Sequence, residues 1–183
     1  MNIRLFLLGC PGSGKGTMSE LLLSKLNNPS VRYYNVGGIL REQAEKDQHI
    51  KDTHAAGGLV TSDRVLGIFE DALSQDSFVC DGSPRRPEEA EFILSHSKWI
   101  SNPGLLIHLK INAELAKERL MSRGRFDDTE ATIQKRFEDY KLHTLKSVEK
   151  FARHKQLVEV DASARPEEVC NSVLRVLYEL GIK

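Results

Sequence analysis

Five short apolar runs punctuate the chain: residues 3–8 (IRLFLL), 31–36 (VRYYNV), 78–80 (FVC), 105–109 (LLIHL) and 156–160 (QLVEV). The first is nearly continuous, as expected of a strand buried on both faces. The second is β-branched and aromatic, which favours a strand. Between them lie segments with helical spacing. Residues 18–26 carry Leu21, Leu22, Leu23 and Leu26 as an apolar stripe. Residues 39–47 and 63–73 are polar and helix-like, separated by Ala55-Ala56-Gly57-Gly58, with Ser62 or Asp63 as the expected N-cap of the second. Further helices are expected over 88–95, 113–121, 129–151 and 166–180, the last with Pro166 near its first turn. Strands alternating with helices of this length predict an α/β fold, a five-stranded parallel sheet with helices on both faces. Residues 1–183 read as one domain, in which the polar, strand-free stretch 37–71 is the best candidate for an inserted lobe.

Composition narrows the class. The chain has 183 residues, 40% of them hydrophobic, which is enough for a packed core and excludes a disordered chain. No run of 18 apolar residues is present to span a membrane, and the first apolar run is too short for a secretory signal. Cys10, Cys80 and Cys170 are an odd number without CxxC spacing. They point to reduced, buried thiols in a cytoplasmic protein and to no zinc. Lys+Arg and Asp+Glu both number 26, so net charge is zero. That argues against nucleic acid or a membrane surface as partner. At first sight it also argues against anionic ligands.

The motifs reverse that impression. Gly9-Cys-Pro-Gly-Ser-Gly-Lys-Gly-Thr17 lies directly after one expected strand and directly before a helix. Gly9, Gly12, Gly14 and Gly16 permit a loop whose N–H groups converge on a phosphate, while the helix N-terminus and Lys15 add positive charge. The strict P-loop pattern places Ser or Thr right after the lysine. Here Gly16 intervenes and Thr17 follows. Asp81-Gly82-Ser83-Pro84-Arg85 ends the third strand, at the sheet edge where open parallel sheets bind ligands. Asp81 there can hold Mg²⁺ through water, and Arg85 can grip a phosphate. Arg119 and Arg123, four apart, share one helix face.

The loop GxPGxGKGT resembles that of the adenylate kinase family of nucleoside monophosphate kinases, and further segments agree in order. DGSPR resembles the family's DG[FY]PR. Gly37-Gly38-Ile39-Leu40-Arg41 resembles TGDLLR, and Gly57-Gly58-Leu59-Val60 resembles G[KE]LVP. Arg119, Arg123, Arg125, Asp127, Asp128 and Arg136 match the lid pattern. The resemblance covers nearly the whole chain and implies a P-loop fold with a small helical acceptor lobe over about 37–71 and a short lid over about 123–128. It implies ATP with Mg²⁺, and no zinc, on Gly12, Ser13, Gly14, Lys15, Gly16, Thr17, Arg119 and Arg123. Arg119 would lie on the adenine and Arg123 on the phosphates. A monophosphate would occupy Val36, Arg41, Gly58, Leu59, Val60, Gly82, Ser83, Pro84, Arg85, Glu89, Arg125 and Arg136. Catalysis would fall to Lys15, Arg85, Arg123, Arg125 and Arg136, in a monomer, with Asp127 and Asp128 orienting the arginines or hinging the lid.

Departures from the family pattern concentrate on the acceptor base. Val36 stands for Thr, Ser83 for an aromatic residue, Arg86 for Thr and Glu89 for Gln. A Glu carboxylate accepts hydrogen bonds without donating. It would suit a base presenting an N–H, so a UMP/CMP or GMP kinase is the alternative to an AMP kinase. A GTPase lacks its NKxD and DxxG here. A kinase for a small hydroxylated metabolite would need a base beside the acceptor and not three acceptor-side arginines. A catalytically inactive nucleotide-binding protein would not need the intact catalytic positions. Phosphoryl transfer to a monophosphate uses an oxygen that is already anionic, which fits motifs free of histidine. With only Gly124 between Arg123 and Arg125, closure is expected mainly from the 37–71 lobe. Seven of the thirteen arginines fall in these segments, yet from 114 to 136 the charge is six cations against five carboxylates. Neutrality therefore excludes a diffuse basic surface, not an inward-facing anion site.

Overall fold

Every residue of β1 (Arg4–Gly9) is buried, because both of its faces are covered. The computed structural model describes residues 2–124 and 128–182. Among these, β1 pairs in parallel with β3 (Phe78–Asp81) on one side and β4 (Leu105–Lys110) on the other. The outer strands β2 (Arg32–Asn35) and β5 (Leu157–Asp161) complete an all-parallel sheet in the order β2-β3-β1-β4-β5. The register sets Phe6 beside Cys80 and Leu106, and Leu7 beside Asp81 and Ile107. All five expected strands form, each within a residue of its apolar run.

Strand alternation sends β1 side chains to two separate cores. Phe6 and Leu8 enter one with Phe69, Phe78, Trp99 and Phe151. Its helices are α4 (Asp63–Ser74), α5 (Pro87–Ser95), α6 (Ser97–Ser101) and α9 (Leu145–Arg153), with α2 (Val36–Ala44) at its edge. Leu5 and Leu7 enter the other core, against Met18 and Leu22 of α1 (Lys15–Leu26) and Val169, Val173 and Leu177 of α10 (Pro166–Glu179). A smaller third cluster joins Cys10 to Ala116 and Leu120 of α7 (Ala113–Arg123) and to Ile133 and Phe137 of α8 (Glu130–Asp139). It seats the glycine loop on the two helices that carry Arg119, Arg123 and Arg136.

The helices depart from expectation in instructive places. The helix α1 starts at Lys15 rather than residue 18, because Gly14 adopts φ 84° and turns the chain directly into it. Where one helix was expected over 39–47, two helices lie between residues 36 and 55. The first begins early, at Val36, since the Asn35 side chain accepts the Gly38 N–H at 2.9 Å. The second, α3 (Gln48–Ala55), is capped by Asp47, whose carboxylate accepts from the N–H groups of His49 and Ile50. Ser62 does not cap α4; its hydroxyl donates to Glu88 at 3.0 Å. The long helix expected over 129–151 contains a π turn at Tyr140–Thr144 between α8 and α9.

Candidate active site

The strand order puts the ends of β1 and β3 side by side, and the functional side chains gather there. The loop leaving β1 is held by the Ser13 N–H on the Cys10 carbonyl at 3.1 Å. Gly12, at φ 83°, lies directly against the Ala116 carbonyl of α7, where a Cβ would collide. Lys15 folds back over the loop. Its Nζ donates to the carbonyls of Gly9 at 2.9 Å and Cys10 at 3.1 Å, and to Ser13 Oγ at 3.3 Å. Burial lowers the Lys15 pKa to about 8; nearby Asp81 opposes the shift and Arg85 adds to it. Thr17 is exposed one residue beyond.

From β3, Asp81 turns its Oδ2 towards Gly16 of the loop and accepts a hydrogen bond from Tyr33 Oη at 3.3 Å. Burial raises its pKa, and Lys15 and Arg85 pull it back down. After Gly82, at φ 84°, and the buried Ser83 and Pro84, Arg85 turns back so that its Nε donates to the Gly82 carbonyl at 2.6 Å. Burial depresses the Arg85 pKa. Glu89 and Asp81 oppose this, while Arg136 and Arg41 add to it. Thus Arg41 from α2, Arg85 from the turn after β3 and Arg136 from α8 share one field, with Lys15 alongside. Cations brought together repel one another unless carboxylates such as Asp81, Glu89 and Asp128, or a bound anion, offset them.

The arginines of α7 and α8 are aimed by one carboxylate. Asp128, with 2% of its side chain exposed, accepts Arg123 Nε and Nη2, both at 2.9 Å, and Arg136 Nη1 at 2.6 Å. Arg119 instead reaches the chain after β5 and donates to the carbonyls of Ala162, Ser163 and Ala164. Arg125 and Asp127, named from the sequence, lie outside the described residues.

Glu89 differs from expectation. It is 3% exposed, and its Oε2 accepts the Arg85 backbone N–H at 2.7 Å. As the third residue of α5 it reaches back to the orphan donors at the helix start, a capping role. Burial raises its pKa and those backbone bonds lower it. Val36 is buried at the start of α2. Leu59 and Val60 have their carbonyls taken by Arg86, at 3.1 and 3.2 Å, and Val60 is buried in the core. Tyr33 beside Asp81 and Arg86 beside residues 58–60 were not marked by sequence reasoning as site residues; only the departure of Arg86 from the family pattern flagged it.

A glycine loop and lysine between the central strand and its helix, facing an acid and an arginine from the neighbouring strand, define a P-loop nucleotide-phosphate-binding protein. The family model described as adenylate kinase matches residues 7–156. An adenylate kinase of Corynebacterium aurimucosum is 31% identical over 185 residues, covering 96% of this chain and 99% of that protein. One from Prochlorococcus marinus is 36% identical over 151 residues, 79% of this chain and 81% of its own length. Human adenylate kinase isoenzyme 5 is 32% identical over 178 residues, which are 90% of this chain and 31% of that longer protein. The chain belongs to the adenylate kinase family, a family of phosphotransferases. No helix among the described residues is long and apolar enough to cross a membrane.

Proposed function

We propose that this protein transfers the γ-phosphoryl group of ATP reversibly to AMP, giving two ADP. The observation that carries the reading is the convergence of Lys15, Arg41, Arg85 and Arg136 at one end of the sheet. A single nucleotide would need the loop and its lysine. Three further arginines from three different elements fit a second phosphate opposite the first. The loop N–H groups and Lys15 hold the ATP phosphates, and Arg41 and Arg85 hold the acceptor phosphate. Arg85, Arg123 and Arg136 neutralise charge on the group in flight. The acceptor oxygen is already anionic, so the residues supply position and charge rather than a base.

Asp81 suits a cation that arrives with ATP and keeps most of its water. Its carboxylate is buried beside the loop, and no group of three or more His, Cys, Asp or Glu among the described residues is placed to hold a metal. Mg²⁺, when bound, neutralises the β- and γ-phosphate oxygens. The sequence argument for a uracil or guanine acceptor rested on a free Glu89 carboxylate. One of its oxygens is bonded to the Arg85 backbone, which counts against that argument, and the adenylate kinase relatives favour AMP as the acceptor.

The stretch 37–71 serves as the acceptor lobe and 123–128 as a minimal lid, so exclusion of water falls mainly to the lobe; lid closure is well known in adenylate kinases. Three buried, unpaired thiols support a reducing, cytoplasmic setting, where the protein acts as a monomer. The test is a coupled assay with Mg·ATP and AMP, CMP, UMP or GMP in turn. ADP formed fastest with AMP, and absent without a monophosphate, is the expected result. ATP binding without turnover on any acceptor overturns the proposal.

A further inference from the structure

Arg86 has been given no role in binding or catalysis so far, yet it makes a built contact. It is the residue just before α5, immediately after Arg85. Its Nε donates to the Val60 carbonyl at 3.2 Å and its Nη2 to the Leu59 carbonyl at 3.1 Å. These carbonyls lie in the irregular stretch between α3 and α4, where no helix or strand ladder offers them a partner. Two residues on, Glu88 accepts the Ser62 hydroxyl at 3.0 Å. Within that stretch only Val60 packs into the core. The first turn of α5 therefore holds residues 59–62 by two rungs, and the guanidinium supplies the stronger one, since its fork meets two carbonyls at once.

We infer that Arg86 is a positioning residue that fixes the base of the acceptor lobe to the phosphate-binding edge of the sheet. The inference rests on the acceptor-lobe reading of residues 37–71. The geometry gives it direction. The same backbone segment that carries Arg85 at one position carries the tether at the next. Arg41 sits on the lobe, and Arg85 on the sheet edge, so the tether sets the distance between two arginines that grip one phosphate. The family pattern has Thr at this position, and a Thr side chain is too short to bridge to residues 59 and 60. Loosening the tether should weaken acceptor binding while leaving the ATP loop, anchored on α1 and α7, undisturbed.

The experiment is steady-state kinetics of Arg86→Ala and Arg86→Lys with AMP and ATP varied in turn, with hydrogen exchange followed at residues 58–62. Loss of one charge-assisted fork predicts a roughly tenfold rise in KM for AMP in both variants, with KM for ATP within about twofold of wild type. Amides of 58–62 should exchange faster in both. Lysine keeps the charge but not the fork. A wild-type KM for AMP in Arg86→Lys would therefore assign the effect to charge alone and overturn the inference. So would equal rises in both KM values, or unchanged exchange at 58–62. If the wild-type protein itself makes no ADP from ATP and AMP, the acceptor reading fails. The exchange measurement then still decides whether Arg86 holds the segment.

Discussion

Lys15 offers a quantitative test of the loop. Its ammonium is turned onto carbonyls of its own loop, and burial lowers its pKa to about 8 from 10.5. Phosphates placed against it favour the charged form, so binding must raise that pKa. The sign follows: above pH 7 the complex holds more protons than the free protein, and ATP binding takes protons up. With a free-protein pKa of about 8, uptake should be about a tenth of a proton at pH 7, about half at pH 8 and about nine tenths at pH 9. The terminal phosphate titrates near pH 6, so it can release about a tenth of a proton at pH 7, offsetting the Lys15 uptake there, and adds almost nothing at pH 8 and pH 9. Affinity follows by linkage, with Kd for ATP rising about tenfold between pH 7 and pH 9. The assay is titration calorimetry in buffers of different ionisation heat, which reads proton uptake directly. Lys15→Arg, whose guanidinium stays charged, should show no uptake and a flat pH profile. Uptake at pH 9 no larger than at pH 7, or equal uptake in Lys15→Arg, would refute the argument.

Other expectations follow from single contacts. Phe6 touches the rings of Phe69, Phe78, Trp99 and Phe151 at the centre of one core, so Phe6→Ala should cost about 3–5 kcal/mol in denaturant unfolding. Gly12→Ala forces a Cβ at φ 83° into the Ala116 carbonyl; ATP binding should fall below detection in calorimetry, with a loss of roughly 2–4 kcal/mol of stability. Arg85→Ala should lower kcat by at least about 10³ in the coupled assay while the circular dichroism spectrum is unchanged.

The strands were the most legible part of the fold: β1, β3 and β4 are covered on both faces and so are mostly apolar, while the edge strands β2 and β5 showed through their β-branched and aromatic residues. The glycine loop was equally plain, since its chemistry lies in contiguous residues. What escaped had tertiary or capping causes. The helix α3 is short and mostly exposed, with Ile50 as its buried residue, so hydrophobic spacing carries almost no signal; Asp47 as a cap was the available clue. Glu89 was read as a ligand-facing carboxylate although it stands third in a helix, where capping is a common use of Glu. His108 looked like one of six scattered histidines. It is buried between Glu159 and Tyr140, at 3.2 and 2.7 Å, partners 51 and 32 residues away that only the folded chain brings together. Asp128 was recognisable as an arginine partner, but its service to both Arg123 and Arg136 depends on how α7 and α8 meet.

Among the described residues, Arg4, Arg85, Arg86 and Arg119 donate to main-chain carbonyls. A carbonyl does not titrate, and a bond between a charge and a dipole is screened by salt far less than one between two exposed charges. These four attachments should therefore outlast both acid and high ionic strength. Arg123 and Arg136 are held instead by the carboxylate of Asp128. The framework around the two nucleotides is thus fastened to main chain, while the arginines that act on the transferring phosphate take their aim from another side chain.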